Sequence, residues 1–217
     1  MAYRQYREIK KGEFFVVFGD TATGLGDYTA IQFLSKTNID IPLVFHDPMT
    51  TSEAVPTIHR TLEKIFDITR VKPVFALERN NGGVFLMDRF AGLNINYKYE
   101  LFRMPRPGDM ENTEKLGWDT NTATRPKMLV DFKNAVDANS LQIYDRPTIT
   151  EMFSFIRVQS NTSTKAQAEK GMHDDLVMSG AGAWQLYQMC DAPQTDSEAM
   201  SDMPVDELFD EKTGLYI

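Results

Sequence analysis

Cysteine is almost missing from this chain. Cys190 stands alone among 217 residues, which excludes an internal disulfide and a cysteine-based zinc cluster and fits a reducing compartment. Long hydrophobic runs are missing too. No apolar stretch approaches the roughly 20 residues of a membrane span, and the opening MAYRQYREIKKGE is too polar for a secretory signal. There is no phosphate loop of the G-x-x-x-x-G-K-[ST] type: residues 21–26 hold two glycines and no lysine, so a nucleotide-driven motor is not expected. No glycine-flanked nucleophilic serine stands out. Excess positive charge is absent as well, since the chain carries −8 overall. That deficit is uneven. Residues 191–217 hold eight acids and one lysine, so the other 190 residues sum to only −1. A near-neutral body binds DNA weakly by itself, because non-specific affinity comes from neutralising phosphates.

What is present reads as one α/β domain. Apolar runs at 14–18 (FFVVF), 28–34 (YTAIQFL) and 41–45 (IPLVF), joined by short polar turns, predict three successive strands in a meander. Val55, Ile58, Leu62, Ile65 and Phe66 recur at helical spacing, with Pro56 tolerable only in a first turn. VFAL at 74–77 predicts a fourth strand, Asn80–Gly83 a turn into a short apolar segment, and NINYKYELF at 94–102 a candidate fifth strand. Further helices are expected around 128–136 and 149–156. From Lys165 a loop enters a long helix whose small residues would let it approach the sheet closely. Strands first and helices interleaved later imply a mixed central sheet flanked by helices. Residues 1–190 are expected to form the domain, and the acidic, aperiodic 191–217 a flexible tail.

Three acidic stations carry the chemistry. Asp20 ends the first strand before a glycine-bearing turn, Glu78 ends the fourth, and Asp174-Asp175 opens the last helix. Each alone has an ordinary explanation, as a turn former or as acids favoured at a helix N-terminus. Brought together, three or four carboxylates repel unless a cation lies among them, and clustered oxygen ligands suit Mg²⁺ or Mn²⁺. Metal-assisted phosphodiester cleavage is the corresponding chemistry. His173 is expected to be structural, and His46 and His59 show no convincing partners in the sequence.

The string Phe18-Gly-Asp-Thr-Ala-Thr-Gly-Leu-Gly-Asp-Tyr-Thr-Ala resembles the first catalytic motif of phage terminase large subunits. Leu77-Glu78-Arg-Asn-Asn-Gly-Gly resembles the second, and Gly171-Met-His-Asp-Asp-Leu-Val-Met the third. Leu116-Gly-Trp-Asp-Thr-Asn with Arg125-Pro-Lys-Met-Leu is similar to the segment before that family's penultimate helices. The resemblance spans roughly residues 3–190 and covers the nuclease half only. It implies a ribonuclease H-like fold of the RuvC and integrase type. It implies two-metal cutting of concatemeric double-stranded viral DNA when packaging starts and ends. Asp20, Glu78, Asp174 and Asp175 would be catalytic metal ligands, with Asp27 in support. Arg79, Lys115, Arg125 and Lys127 are candidate DNA contacts from charge and position. Expected partners are DNA, a packaging ATPase domain absent from this chain, a portal protein and a small terminase subunit, with no membrane. The expected setting is the cytoplasm of an infected bacterium, outside the mature virion. Competing readings are a junction resolvase or ribonuclease H of the same fold, and a non-catalytic module that docks on the portal or ATPase.

Overall fold

A computed structural model describes residues 2–22, 28–80, 82–105, 115–153, 155–159, 164–168, 173–191, 209–210 and 215–216. The elements in chain order are β1 (Tyr3–Gln5), β2 (Phe15–Asp20), β3 (Thr29–Ser35), β4 (Asp40–Asp47), α1 (Thr51–Thr69), β5 (Val74–Leu77), α2 (Gly83–Leu93), β6 (Glu100–Leu101), β7 (Arg103–Met104), β8 (Lys115–Leu116), α3 (Thr124–Asp137), β9 (Gln142–Ile143), α4 (Arg146–Phe153), β10 (Phe155–Gln159), β11 (Thr164–Ala168), α5 (Asp175–Met189), β12 (Phe209–Asp210) and β13 (Leu215–Tyr216). Seven strands form the central sheet in the order β1-β4-β3-β2-β5-β6, with β9 also on β4. The expected meander is there: β2, β3 and β4 pair antiparallel, whereas β5 adds parallel to β2 and β6 parallel to β5. The sheet is mixed and helix-flanked, as the sequence implied.

Side-chain parity sorts the strands onto two cores, because successive residues of a strand point to opposite faces. Phe15, Val17, Phe75 and Leu77 meet α1 and α2 through Val55, Ile58, Leu62, Met87 and Phe90. Phe14, Val16, Phe18 and Ala76 face the other way, toward Met128 and Phe132 of α3 and the apolar residues of α5. Alternation continues past both cores, so Asp20 and Glu78 fall on the α5 side. The small residues of α5 make that side tight. A Cβ on Gly182 would stand 2.2 Å from the Phe18 ring, and one on Gly180 would stand 2.7 Å from Phe132. Twelve consecutive α5 residues, Asp175 to Leu186, are buried, so this helix is fixed against the sheet along most of its length.

Helix α1 begins earlier than the sequence suggests, under a capping box in which Thr50 and Glu53 satisfy each other's backbone N–H groups. Pro56 therefore lies in the second turn, not the first. The carbonyl its missing N–H abandons, Ser52 O, accepts instead from Arg89 Nη1 of α2 at 3.0 Å. The short apolar segment after Gly83 is the helix α2. The candidate strand at 94–102 survives only at its end. Asn94 accepts from Lys98 N at 3.0 Å and donates to Tyr99 O at 2.7 Å, and Tyr97 takes a left-handed φ of 51°, so a turn fills most of it. Helix α4 ends at Phe153, with the β10–β11 hairpin where its last turn was expected. In the tail, β12 and β13 pair with each other, and most of 191–217 lies outside the described residues.

Candidate active site

Parallel register delivers the first two acids together. Gly19 pairs with Leu77, Glu78 N donates to Gly19 O at 3.0 Å, and the next step along both strands brings Asp20 beside Glu78. Glu78 is held from both sides of its backbone, since Trp118 N donates to Leu77 O at 2.9 Å and Arg79 N to Trp118 O at 2.8 Å. Trp118 is itself wedged between Phe18 and Phe102. Asn80 then fixes the carboxylate: its Nδ2 donates to Glu78 Oε1 at 2.7 Å and to Thr120 O at 2.9 Å.

The third station arrives on α5. Asp174 occupies the N-cap position but its side chain makes no capping bond; Oδ2 instead accepts from Arg125 Nη2 at 2.5 Å. Capping comes from another helix. Glu151 of α4 accepts from Leu176 N at 3.0 Å, so a carboxylate 25 residues away satisfies the orphan donor and leaves Asp174 in the cleft. Asp175 Oδ2 accepts from Tyr28 N at 3.3 Å and lies 3.7 Å from His173 Nδ1.

Asp20, Thr21, Glu78, Asn80, Arg125, Asp174 and Asp175 line one cleft of about 510 Å³. Four carboxylates and a single guanidinium thus share one space among the described residues. Burial first, then Glu78, Asp175 and Asp174, hold the Asp20 carboxyl well above the usual carboxylate range. Glu151 is pushed up to about 8 by burial and then by Asp175. Mutual repulsion of this kind is what a divalent cation relieves, and the donors are all oxygen, so the residues present fit a hard metal ion. No three of the His, Cys, Asp and Glu side chains among the described residues already stand in a ready ligand set.

Of the four candidate DNA contacts, Arg125 alone lines this cleft. Arg79 Nη1 donates to Leu116 O at 3.1 Å and latches the β8 segment. Lys127 turns to Asp131 one turn along α3 and to Gln185 of α5, away from the cleft lining, and Lys115 is exposed on β8. Asp27 lies outside the described residues. The histidines do have partners. His46 stacks on Tyr28 with ring centroids 4.7 Å apart, Tyr28 meets His173 edge-on at 5.1 Å, and His59 Nδ1 lies 2.9 Å from Tyr99 Oη. Burial, then Arg4, lowers His46 to about 4, so its ring is neutral near pH 7. Sequence reasoning missed Glu151, whose role depends on a helix–helix contact that no local pattern announces. It placed Asn80 only in a turn, although Asn80 lies two residues from the acid it orients.

No protein-family model matches this chain, and no curated protein matches its sequence. Solved structures do. The large terminase nuclease of thermophilic phage G20c with bound cobalt superposes with a TM-score of 0.62 at 15% identity, over 85% of this chain and 87% of that one. The large terminase nuclease domain of Thermus phage P74-26 gives 0.61 at 14% identity, over 88% and 89%. The human cytomegalovirus terminase nuclease domain, manganese-soaked and inhibitor-bound, gives 0.52 at 16% identity, over 87% and 86%. The fold is therefore that of the terminase nuclease domains, ribonuclease H-like, over 85–88% of the chain.

Proposed function

We propose that this chain is a divalent-metal-dependent endonuclease, the nuclease half of a terminase large subunit, which hydrolyses phosphodiester bonds of double-stranded viral DNA when genome packaging begins and ends. One observation carries this reading: Asp20, Glu78 and the Asp174-Asp175 pair, three stations far apart in sequence, line a single cleft on a terminase-nuclease fold. These four residues would hold Mg²⁺ or Mn²⁺ in a two-ion site, with Asp27 in support. When bound, the ions supply the Lewis acidity that in-line hydrolysis of a phosphodiester needs. Everything else is protein. Asn80 orients Glu78, Glu151 anchors the start of α5, and the sheet and α5 clamp the acids on rigid elements, so that little reorganisation is left for the reaction. Portal protein, small subunit and the ATPase half are the corresponding partners, and the infected bacterial cytoplasm the setting.

The test is supercoiled plasmid incubated with the protein in Mn²⁺, Mg²⁺ or EDTA, beside Asp20→Asn. Metal-dependent nicking and linearisation is expected, falling at least about a hundredfold in the mutant, since even outer partners of metal ligands cost about 10- to 100-fold. Equal cutting by the mutant removes Asp20 from the site. A clear preference for four-way junctions or RNA–DNA hybrid over linear duplex reassigns the substrate to a resolvase or ribonuclease H.

A further inference from the structure

Among the described residues, Arg125 is the one cation lining the acidic cleft, and its hydrogen bond goes to Asp174. Its backbone is anchored independently of that side-chain bond. Arg125 N donates to Asn121 O at 3.0 Å, and Asn121 Oδ1 accepts from Ala123 N and Thr124 N at 2.9 and 3.0 Å, which fixes the first turn of α3. The same loop receives Asn80 through Thr120 O, so α3 starts from a support shared with Glu78. The guanidinium is about one-third exposed and so is Asp174, at 35% and 31%. Ion pairs this exposed are weak and exchange easily. A guanidinium has five N–H donors arranged to grip two oxygens of a carboxylate or phosphate.

From this geometry we infer that Arg125 is an internal stand-in cation which changes partner. Without metal it neutralises Asp174. Once a divalent ion takes Asp174, Arg125 turns, from its fixed backbone, to the non-bridging oxygens of the phosphodiester lying in the cleft. The residue thus acts against metal uptake and for cleavage, two effects of opposite sign. Its charge also lets a net-acidic cleft receive an anionic strand. The inference rests on the nuclease reading above and adds a role to it.

Arg125→Gln separates these effects. Calorimetric titration of Mn²⁺ into the full chain without DNA should show binding about three- to tenfold tighter in the mutant, as expected for loss of a partly exposed competing pair. Plasmid cleavage at saturating Mn²⁺ should be at least about tenfold slower. Arg125→Lys keeps the charge without the fork, and should bind Mn²⁺ like the parent and cut at an intermediate rate. In EDTA, Arg125→Gln should melt slightly below the parent, because the acidic cleft loses a cation, while Arg125→Lys should match it; all three should remain folded at the assay temperature. Unchanged or weaker Mn²⁺ binding by Arg125→Gln overturns the exchange, and so does cleavage at the parental rate. A parent protein that takes up no Mn²⁺ and cuts nothing refutes the nuclease reading itself, and the exchange falls with it.

Discussion

Two groups of acids in this molecule, made of the same side chains, are in opposite electrostatic states. At one edge of the sheet, Asp145 accepts from Arg4 Nε at 2.6 Å, Tyr6 Oη at 2.5 Å and Thr148 Oγ1 at 2.7 Å. Nearby, Arg7 bridges Glu13 and Asp40. Burial works to raise Glu13 and Asp145, but the arginines and the other donors outweigh it, and both carboxyls end below their ordinary range. In the cleft, burial and neighbouring carboxylates act in the same direction, and Asp20 ends far above it. Acids that hold the fold together have donors enough to outweigh burial; at Asp20 burial and neighbouring carboxylates outweigh the donors. That difference, more than acidity itself, marks a place where the protein holds repulsion in reserve for a cation.

Exchanging one acid in each group for its amide should give stability changes of opposite sign. Asp145→Asn leaves Arg4 without its carboxylate and weakens the tie between β1 and the first turn of α4. Breaking a buried pair costs about 3–5 kcal/mol, and the part exposure of Arg4 brings the expected loss to about 2–3 kcal/mol. Asp20→Asn removes repulsion, and in EDTA at pH 8 should raise stability by about 1–2 kcal/mol while cutting is lost. Urea melts of both variants check this. If both mutants lose stability alike, the two groups are not different in kind.

Glu151 sharpens the comparison, because it does both jobs: it donates order to α5 and shares the cleft's repulsion. Its carboxyl is raised from 4.5 to about 8, so the folded chain binds this proton more tightly than the unfolded chain. The contribution to stability is therefore full below about pH 4 and lost as pH rises toward 8. Glu151→Gln keeps an oxygen for Leu176 N without the charge. In EDTA it should melt like the parent at pH 4 and about 4 °C higher at pH 8, a difference of about 1–2 kcal/mol for a chain this size. A parallel pair of melting profiles would show that Glu151 stands apart from the cleft's electrostatics.

The amount legible in the sequence follows the same division between local and distant causes. The β2–β3–β4 meander, α3 and the close-packed α5 were visible because their apolar periods and small residues are local properties. Asp20 and Glu78 were visible because strand ends are. Strand β1 was not, since YRQ joins the sheet only by pairing Tyr3–Gln5 with Leu43–Phe45. The early start of α1 was hidden by Pro56, whose cost is met by Arg89 from another helix. Nor could charge and position rank Arg79, Lys115, Arg125 and Lys127, because only the packing of α3 on α5 decides which cation faces the cleft.

Lys127 makes the smallest and most pointed contrast. It sits two residues from Arg125, about 200° around the helix, and carries the same charge. Its ammonium pairs with Asp131 one turn along α3, with most of the side chain in water. Exposed i,i+4 pairs contribute a few tenths of a kcal/mol, so Lys127→Ala should shift stability by no more than about 0.5 kcal/mol. Plasmid cutting should stay within about twofold of the parent if proximity to the phosphate, and not general positive charge on α3, is what matters. A tenfold loss in Lys127→Ala would instead extend the DNA path along α3 past Asp131, and would make Arg125 one member of a basic track in place of the single cation found among the described residues of the cleft.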